Sequence, residues 1–411
     1  MKRITNYISK MKNLRKILPL IREWLKSEQN RKKLVLIALP VLLFFVVIFL
    51  IIFRYQQPKE PKGLQGVEVA KRLDVTSIVK NFQNPDLTCG EEEVFVSYKS
   101  LEDGIFYLLE YNLDLDQRFG PYDLQKDIEK RNEADNFTDH ALVLYKGGSY
   151  AAFSVEREGE GLVGLYIAKY DRDIDAINLN YVLKGEDAEG YEDFERPLIR
   201  VYDDLVYVIN SRHDEMVDDD NNRNGVVVRV YDKRLNFKER FELVWNDLQP
   251  PGTADLVLYD GGYGVIQTDG VKKPKLSIFY FDKDKNYTGK KQLISNWVIN
   301  TYQIARPRAI FSDGRYYIAL SSMSSQEENA PISLFTGVFD EAFNFQKLLK
   351  LTEYSSEEYE KAFKKASEYI CKVGDTIYAT IETDMDISSP GSDELMIMKY
   401  KLTDGNAEQE E

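Results

Sequence analysis

The 411-residue sequence is poor in the residues that most often announce chemistry: it has two Cys, two His and three Trp. Two cysteines exclude a disulfide-dense scaffold, and two histidines exclude a large His-based metal cluster. Thirteen prolines without a Gly-X-Y period exclude a collagen-like chain. There is no Gly-rich phosphate loop, no His-rich metal motif, no Gly-x-Ser-x-Gly turn and no Asp box of the sialidase kind, so nucleotide chemistry and a serine-hydrolase site are not expected. What is present is a large apolar fraction, 43%, beside 30% charged residues and a net charge of −14, enough to bury a sizeable core.

The charge is unevenly placed. Residues 1–33 carry 11 Lys and Arg against two Glu, a surplus of +9, whereas residues 54–411 carry a net −23. Between them, Leu34 to Phe53 reads LVLIALPVLLFFVVIFLIIF, twenty residues without a charge. At helical rise this run spans about 30 Å, the thickness of the hydrocarbon core of a bilayer. It predicts a transmembrane helix over 34–53, with Pro40 tolerated inside it. The 33 preceding residues and the YQQPKEP that follows do not fit a cleaved signal peptide, so the run is read as a signal anchor. Arg31, Lys32 and Lys33 favour a cytoplasmic amino terminus, which places the acidic bulk outside a plasma membrane crossed once.

In the basic segment, Ile4, Tyr7, Ile8, Met11, Leu14, Leu18, Ile21 and Leu25 recur at three- and four-residue steps. This predicts an amphipathic helix whose partner is the anionic inner leaflet or a cytoplasmic protein. Residues 54–64 have the composition of a linker. With −23 on the exported part, nucleic acid is excluded as a partner on electrostatic grounds.

Residues 65–411 contain a repeat. Six units begin NPDLTCGEEEVFVSY, DHALVLYKGGSYAAFSV, RPLIRVYDDLVYVINS, TADLVLYDGGYGVIQTD, RPRAIFSDGRYYIALSS and SEYICKVGDTIYATIET. Each reads as a short apolar strand, an Asp/Gly turn and an aromatic-centred strand. A second block follows in each, such as VVVRVYDKRLNF or LSIFYFDKDKNY, with an Asp/Asn turn between strands. Taking Pro85, His140, Pro197, Ala254, Pro307 and Glu368 as equivalent, the spacings are 55, 57, 57, 53 and 61 residues. Three or four strands per unit of this length predict an all-β fold, a six-bladed β-propeller, with five blades if a terminal unit is incomplete. The segment SSEEYEKAFKKASEY is the one clear helical pattern, an insertion before the last unit.

In such a ring the starts of the first strands converge on the central channel. They hold Asp86, Asp139, Glu195, Arg196, Asp255, Arg306 and Arg308. Carboxylates and guanidinium groups offer paired, planar hydrogen bonds suited to a polyhydroxylated or charged ligand, a glycan or an extracellular protein. The alternative is that exposed strand starts simply collect charge. The stretches FERPLIRVYDDLVYVINS and ARPRAIFSDGRYYIALSS resemble blade starts of the five-bladed propeller glycoside hydrolases. That resemblance implies a general acid at Glu195 and a second functional Asp at Asp139. It implies a catalytic base where Asn84 precedes Pro85, and an amide cannot accept the proton that hydrolysis by two carboxylates requires. A binding role is therefore expected ahead of hydrolysis.

Asp220, Asn222 and Asn224, followed by Gly225, match the first half of a calcium loop, with Asp218 just before them as a further candidate ligand, so Ca²⁺ is a candidate cofactor. Tyr231 stands where the bidentate Glu belongs, and a solvated hairpin tip is the competing reading. Asn136-Phe137-Thr138 and Asn286-Tyr287-Thr288 are glycosylation sequons. Cys89 and Cys371 lie in the first strands of units one and six, which are neighbours in a closed ring; they read either as a clasp or as two buried thiols, if adjacent inner strands stand too far apart for a bridge.

Overall fold

The computed structural model describes residues 67–402, apart from segments of the connections between strands. The predicted basic segment (1–33), transmembrane helix (34–53) and linker (54–64), and the helical pattern over 355–368, lie outside the described residues. Among the described residues no helix is long and apolar enough to cross a membrane.

The first strand, β1 (Val67–Asp74), stands apart from the unit that follows it: β2 (Phe82–Cys89), β3 (Glu93–Ser100), β4 (Phe106–Asn112) and β5 (Gln117–Asp123). The second blade is β6 (Asp135–Tyr145), β7 (Gly148–Arg157), β8 (Gly161–Tyr170) and β9 (Ala176–Leu183), and the third is β10 (Tyr191–Tyr202), β11 (Leu205–His213), β12 (Arg223–Asp232) and β13 (Phe237–Asn246). The fourth is β14 (Asp255–Tyr259), β15 (Gly262–Asp269), β16 (Lys275–Asp282) and β17 (Tyr287–Ile294), and the fifth β18 (Ile304–Ser312), β19 (Arg315–Met323), β20 (Ile332–Asp340) and β21 (Phe345–Lys350). The last three strands are β22 (Ile370–Val373), β23 (Thr376–Asp384) and β24 (Asp393–Leu402).

Five blades are simple antiparallel meanders, and the sixth runs β1-β24-β23-β22. The inner strands β2, β6, β10, β14, β18 and β22 each neighbour the next, and β22 neighbours β2, which closes a six-bladed ring. The sequence reading missed β1, because the alternation in VEVAKRLD breaks at Ala70, where the ladder is irregular. It lies outside the repeat because it completes the last blade from the other end of the chain, pairing Val67 with Leu402 and Asp74 with Met396.

Each interface between blades is a separate apolar cluster. Leu198, Ile209, Val228, Trp245, Leu256, Val265 and Phe279 fill the gap between blades three and four, and Val257, Ile266, Ile278, Ala309, Ile318 and Phe339 fill the next. Alternate residues of one strand thus face opposite neighbours, as the two-residue period requires. Tyrosine adds polar staples across these gaps: the hydroxyls of Tyr150, Tyr202, Tyr316 and Tyr378 donate to the carbonyls of Lys233, Leu256, Leu258 and Leu113, each in an adjacent blade. Part of the tyrosine content is therefore architectural.

The hairpins between first and second strands are short: Tyr145 to Gly148, Tyr202 to Leu205, Tyr259 to Gly262, Ser312 to Arg315 and Val373 to Thr376 leave two residues each. Gly262 is required there, since its φ of +143° is in the left-handed half of the map and a Cβ would stand 2.1 Å from the Phe281 carbonyl. The Asp/Asn blocks form one turn repeated around the ring. Asp232 Oδ1 accepts from the Arg234 and Asn236 amides, and the Asn236 side chain donates back to Asp232; Asp340 and Asn344 repeat the arrangement. These tight turns share one end of the ring. The longer connections, including Asn246 to Asp255 and Lys350 to Ile370, share the other, where the first strands start.

Candidate functional site at the channel mouth

At the starts of the first strands the ladder is interrupted. Register shifts fall between Gln83 and Asp86, Phe137 and His140, Asp193 and Leu198, and Ala305 and Arg308. A bulge frees local residues from pairing and re-aims their side chains. Asn84 takes a left-handed φ of +51° at the first of them, a conformation asparagine tolerates.

Asp86 and Asp255 occupy equivalent positions in blades one and four, on opposite sides of the ring. Asp255 is fully buried: Oδ1 accepts from the Leu256 amide at 2.8 Å, and Oδ2 accepts from the Ala309 amide of blade five and from Arg200 Nη2, both at 2.7 Å. Asp86, 5% exposed, repeats the design, with Oδ1 on the Leu87 amide at 2.7 Å and Oδ2 on the Leu142 amide of blade two at 2.8 Å. Each carboxylate therefore bridges to the backbone of the following blade. Burial pushes the Asp86 carboxyl up to about 6, against the opposing pull of the Leu142 amide and of Arg308.

Arg308, from blade five, is 5% exposed and lies 5.1 Å over the Tyr369 ring of blade six. Burial works against its charge, but Tyr369, Asp255 and Asp86 together hold it above its ordinary value. Its field thus reaches carboxylates on both sides of the ring. Among the described residues its Nε and Nη1 have no hydrogen-bond partner, nor do the side-chain amides of the buried residues Asn210 and Gln267. Unfilled buried donors and acceptors are costly, so this end of the ring holds polar capacity that its own fold does not use.

The remaining predicted residues separate from this cluster. Asp139 sits in the second bulge, half-buried, with Oδ1 accepting from the His140 amide at 2.8 Å. It lies close enough to Lys99 to favour that ammonium, although burial holds the Lys99 pKa below its ordinary value. Glu195 and Arg196 are placed in β10 at the third bulge and Arg306 in β18, but their side chains are not among those described. His140, beside Asp139 at the second strand start, is buried against Phe106, with Nε2 2.6 Å from Ser97 Oγ. Burial drives it down to about 3, so it is neutral at physiological pH.

Of the calcium-loop candidates, Asp218, Asp220 and Asn222 lie outside the described residues. Asn224 is strand, paired with Trp245. Among the described residues no group of three or more His, Cys, Asp or Glu could hold a metal ion. Cys89 and Cys371 are joined as a disulfide with their Cα atoms 5.6 Å apart.

No protein-family profile matches the chain, and no curated protein matches it in sequence. Its resemblance is to glycoside hydrolases. Among solved structures, a thermostable family-43 glycoside hydrolase shares 13% identity at a TM-score of 0.43, covering 80% of this chain and 92% of its own. An exo-1,5-alpha-L-arabinanase from a bovine ruminal metagenomic library shares 10% at 0.41, covering 65% and 94%, and a B. megaterium levansucrase shares 8% at 0.43, covering 65% and 85%. The likeness is weak, and the strand order and ring closure described above define the fold without it.

Proposed function

We propose that the chain is a single-pass, membrane-anchored extracytoplasmic β-propeller that binds a carbohydrate at its channel mouth without hydrolysing it. The observation that carries the reading is the cluster of Asp86, Asp255, Arg200 and Arg308, in which buried acids and guanidinium groups meet and two Arg308 nitrogens have no partner among the described residues. Two carboxylates and two guanidinium groups balance in charge, which suits an uncharged polyhydroxylated ligand better than a strongly ionic one. Against catalysis stands Asn84 in the place of a general base. Asp86 does not replace it, because both of its oxygens are committed to backbone amides.

The anchor and its orientation rest on the uncharged run at 34–53 and its basic flank. The disulfide supports the same placement, since such bonds persist in oxidising compartments outside the cytoplasm.

The test is a glycan array probed with the detergent-solubilised full chain, wild type and Arg308→Ala, followed by a hydrolysis assay on any glycan retained. Binding that Arg308→Ala abolishes, with no product released, supports the reading. Product release that Glu195→Gln abolishes would establish a hydrolase instead, and an array without signal, paired with capture of a surface protein that Arg308→Ala abolishes, would establish a protein ligand.

A further inference from the structure

The ring is closed twice, by elements of different kinds. One closure is the β1–β24 ladder, which joins the first and last strands of the propeller in the sixth blade through backbone hydrogen bonds. The other is Cys89–Cys371, which joins the inner strands β2 and β22 directly. Blades six and one also share an apolar cluster, in which Tyr378, Leu395 and Ile397 pack with Val75, Val79, Phe82 and Leu87. Lys399 pairs with Asp114 at 2.7 Å, and from β1 itself Lys71 pairs with Asp116 at 3.0 Å.

The two closures differ in where they would fail. As the outermost strand of its blade, β1 has one ladder partner, and its pairing is irregular between Val69 and Lys71. Without β1, blade six would still hold β22, β23 and β24, but among backbone ladders nothing would then tie it to blade one. The disulfide supplies that tie at the level of the channel, on the opposite side of the blade from β1.

We propose that the Cys89–Cys371 bond makes β1 a releasable strand: with the bond intact the ring stays closed when β1 detaches, and with the bond reduced β1 becomes the closure on which the ring depends. Reduction here is a two-electron exchange with a dithiol, which leaves two protein thiols and the reductant as its own disulfide. The physiological weight of this device rests on the proposed anchor, because a pull from the membrane would reach the ring through β1. The test does not depend on that reading.

Val69→Pro with Leu73→Pro weakens the ladder in the full chain, since their partners Tyr400 and Ile397 fall in alternate pair classes and one change must remove a donor. Hydrogen exchange is then followed in β24, β2 and β22, in the proline pair, in Cys89→Ser with Cys371→Ser, and in both together. The proline pair alone should accelerate exchange in β24 by about tenfold or more and leave β2 and β22 protected, whereas the combination should accelerate β2 and β22 by on the order of 100-fold. Should the combined variant fail to fold, dithiothreitol added to the oxidised proline pair makes the same comparison, and reoxidation should restore protection. Exchange in β2 and β22 that rises as far in the oxidised proline pair as in the combination would overturn the proposal, as would full protection in the combination.

Discussion

Removing the Asp255 carboxylate tests whether the acids at the channel mouth hold blades together or merely balance arginines. In Asp255→Ala, the Leu256 and Ala309 amides lose a buried acceptor and Arg200 loses its partner. Breaking a buried pair from one side costs about 3–5 kcal/mol. The Arg200 side chain is 20% exposed, so water partly replaces the lost carboxylate and the ion pair accounts for only about 1 kcal/mol of that loss. The two amides account for the rest, at about 1–3 kcal/mol each.

A double-mutant cycle with Arg200→Ala separates these contributions, read as urea midpoints at constant slope. Asp255→Ala should still cost about 2–4 kcal/mol when Arg200 is already absent. A loss that vanishes in the Arg200→Ala background would show that the ion pair, and not the bond across the blade gap, is what Asp255 provides. A loss below about 1 kcal/mol in either background would refute the structural role altogether.

Asp86 should give the opposite of the usual carboxylate behaviour. With its folded-state pKa raised to about 6 from 3.8, the folded protein keeps a proton that the unfolded chain has released. Stability from this group is fully present below about pH 4 and is lost as pH rises through 6, by about 3 kcal/mol, a trend that Asp86→Asn should flatten in unfolding midpoints measured from pH 4 to 7. Gly262→Ala should destabilise by at least about 2 kcal/mol in the same assay, because the left-handed φ and the Phe281 carbonyl both oppose a Cβ. In intact cells, added protease should digest the chain beyond Arg54 and spare the first 33 residues; protection of the propeller with the envelope permeabilised down to the inner membrane would reverse the orientation. Mass spectrometry without reductant should recover a Cys89–Cys371 linked peptide pair, and quantitative alkylation of both thiols would contradict the bond.

The blade count was legible because the units write the same local grammar: a first strand, a short turn of two or three residues and an Asp/Asn turn whose side chains bond their own backbone. Such signals are local, and local signals survive in a sequence. What joins one blade to the next is not local. Nothing near Asp255 announces that its partners are Arg200 and Ala309, each more than fifty residues away. Nor does the sequence around Asp86 announce where its carboxylate turns, since strand alternation alone leaves that to the register. The register does shift, between Gln83 and Asp86, and turns the carboxylate toward Leu142. The cysteine pair raised the question whether adjacent inner strands approach closely enough. They do when the positions are offset by one: Cys371 relates to Cys89 as Thr88 relates to Leu144, whose amide reaches Thr88 Oγ1 across the next gap. Strand β1 escaped notice because it belongs to the repeat only in space.

That strand also sets a clock for biosynthesis. Val67 is among the first residues of the propeller to be made, yet its partner Leu402 follows 335 residues later. At ribosomal rates of roughly 5–20 residues per second, β1 waits on the order of 20–70 s with an unpaired edge while five blades form beside it. Lys71 and Arg72 in VEVAKRLD, among otherwise apolar and acidic neighbours, are the kind of charge that keeps a waiting edge from pairing with another chain. An amino-terminal truncation would remove that hazard and the completion of the last blade together, so nascent chains shortened at this end should assemble five blades on schedule and stall at the sixth.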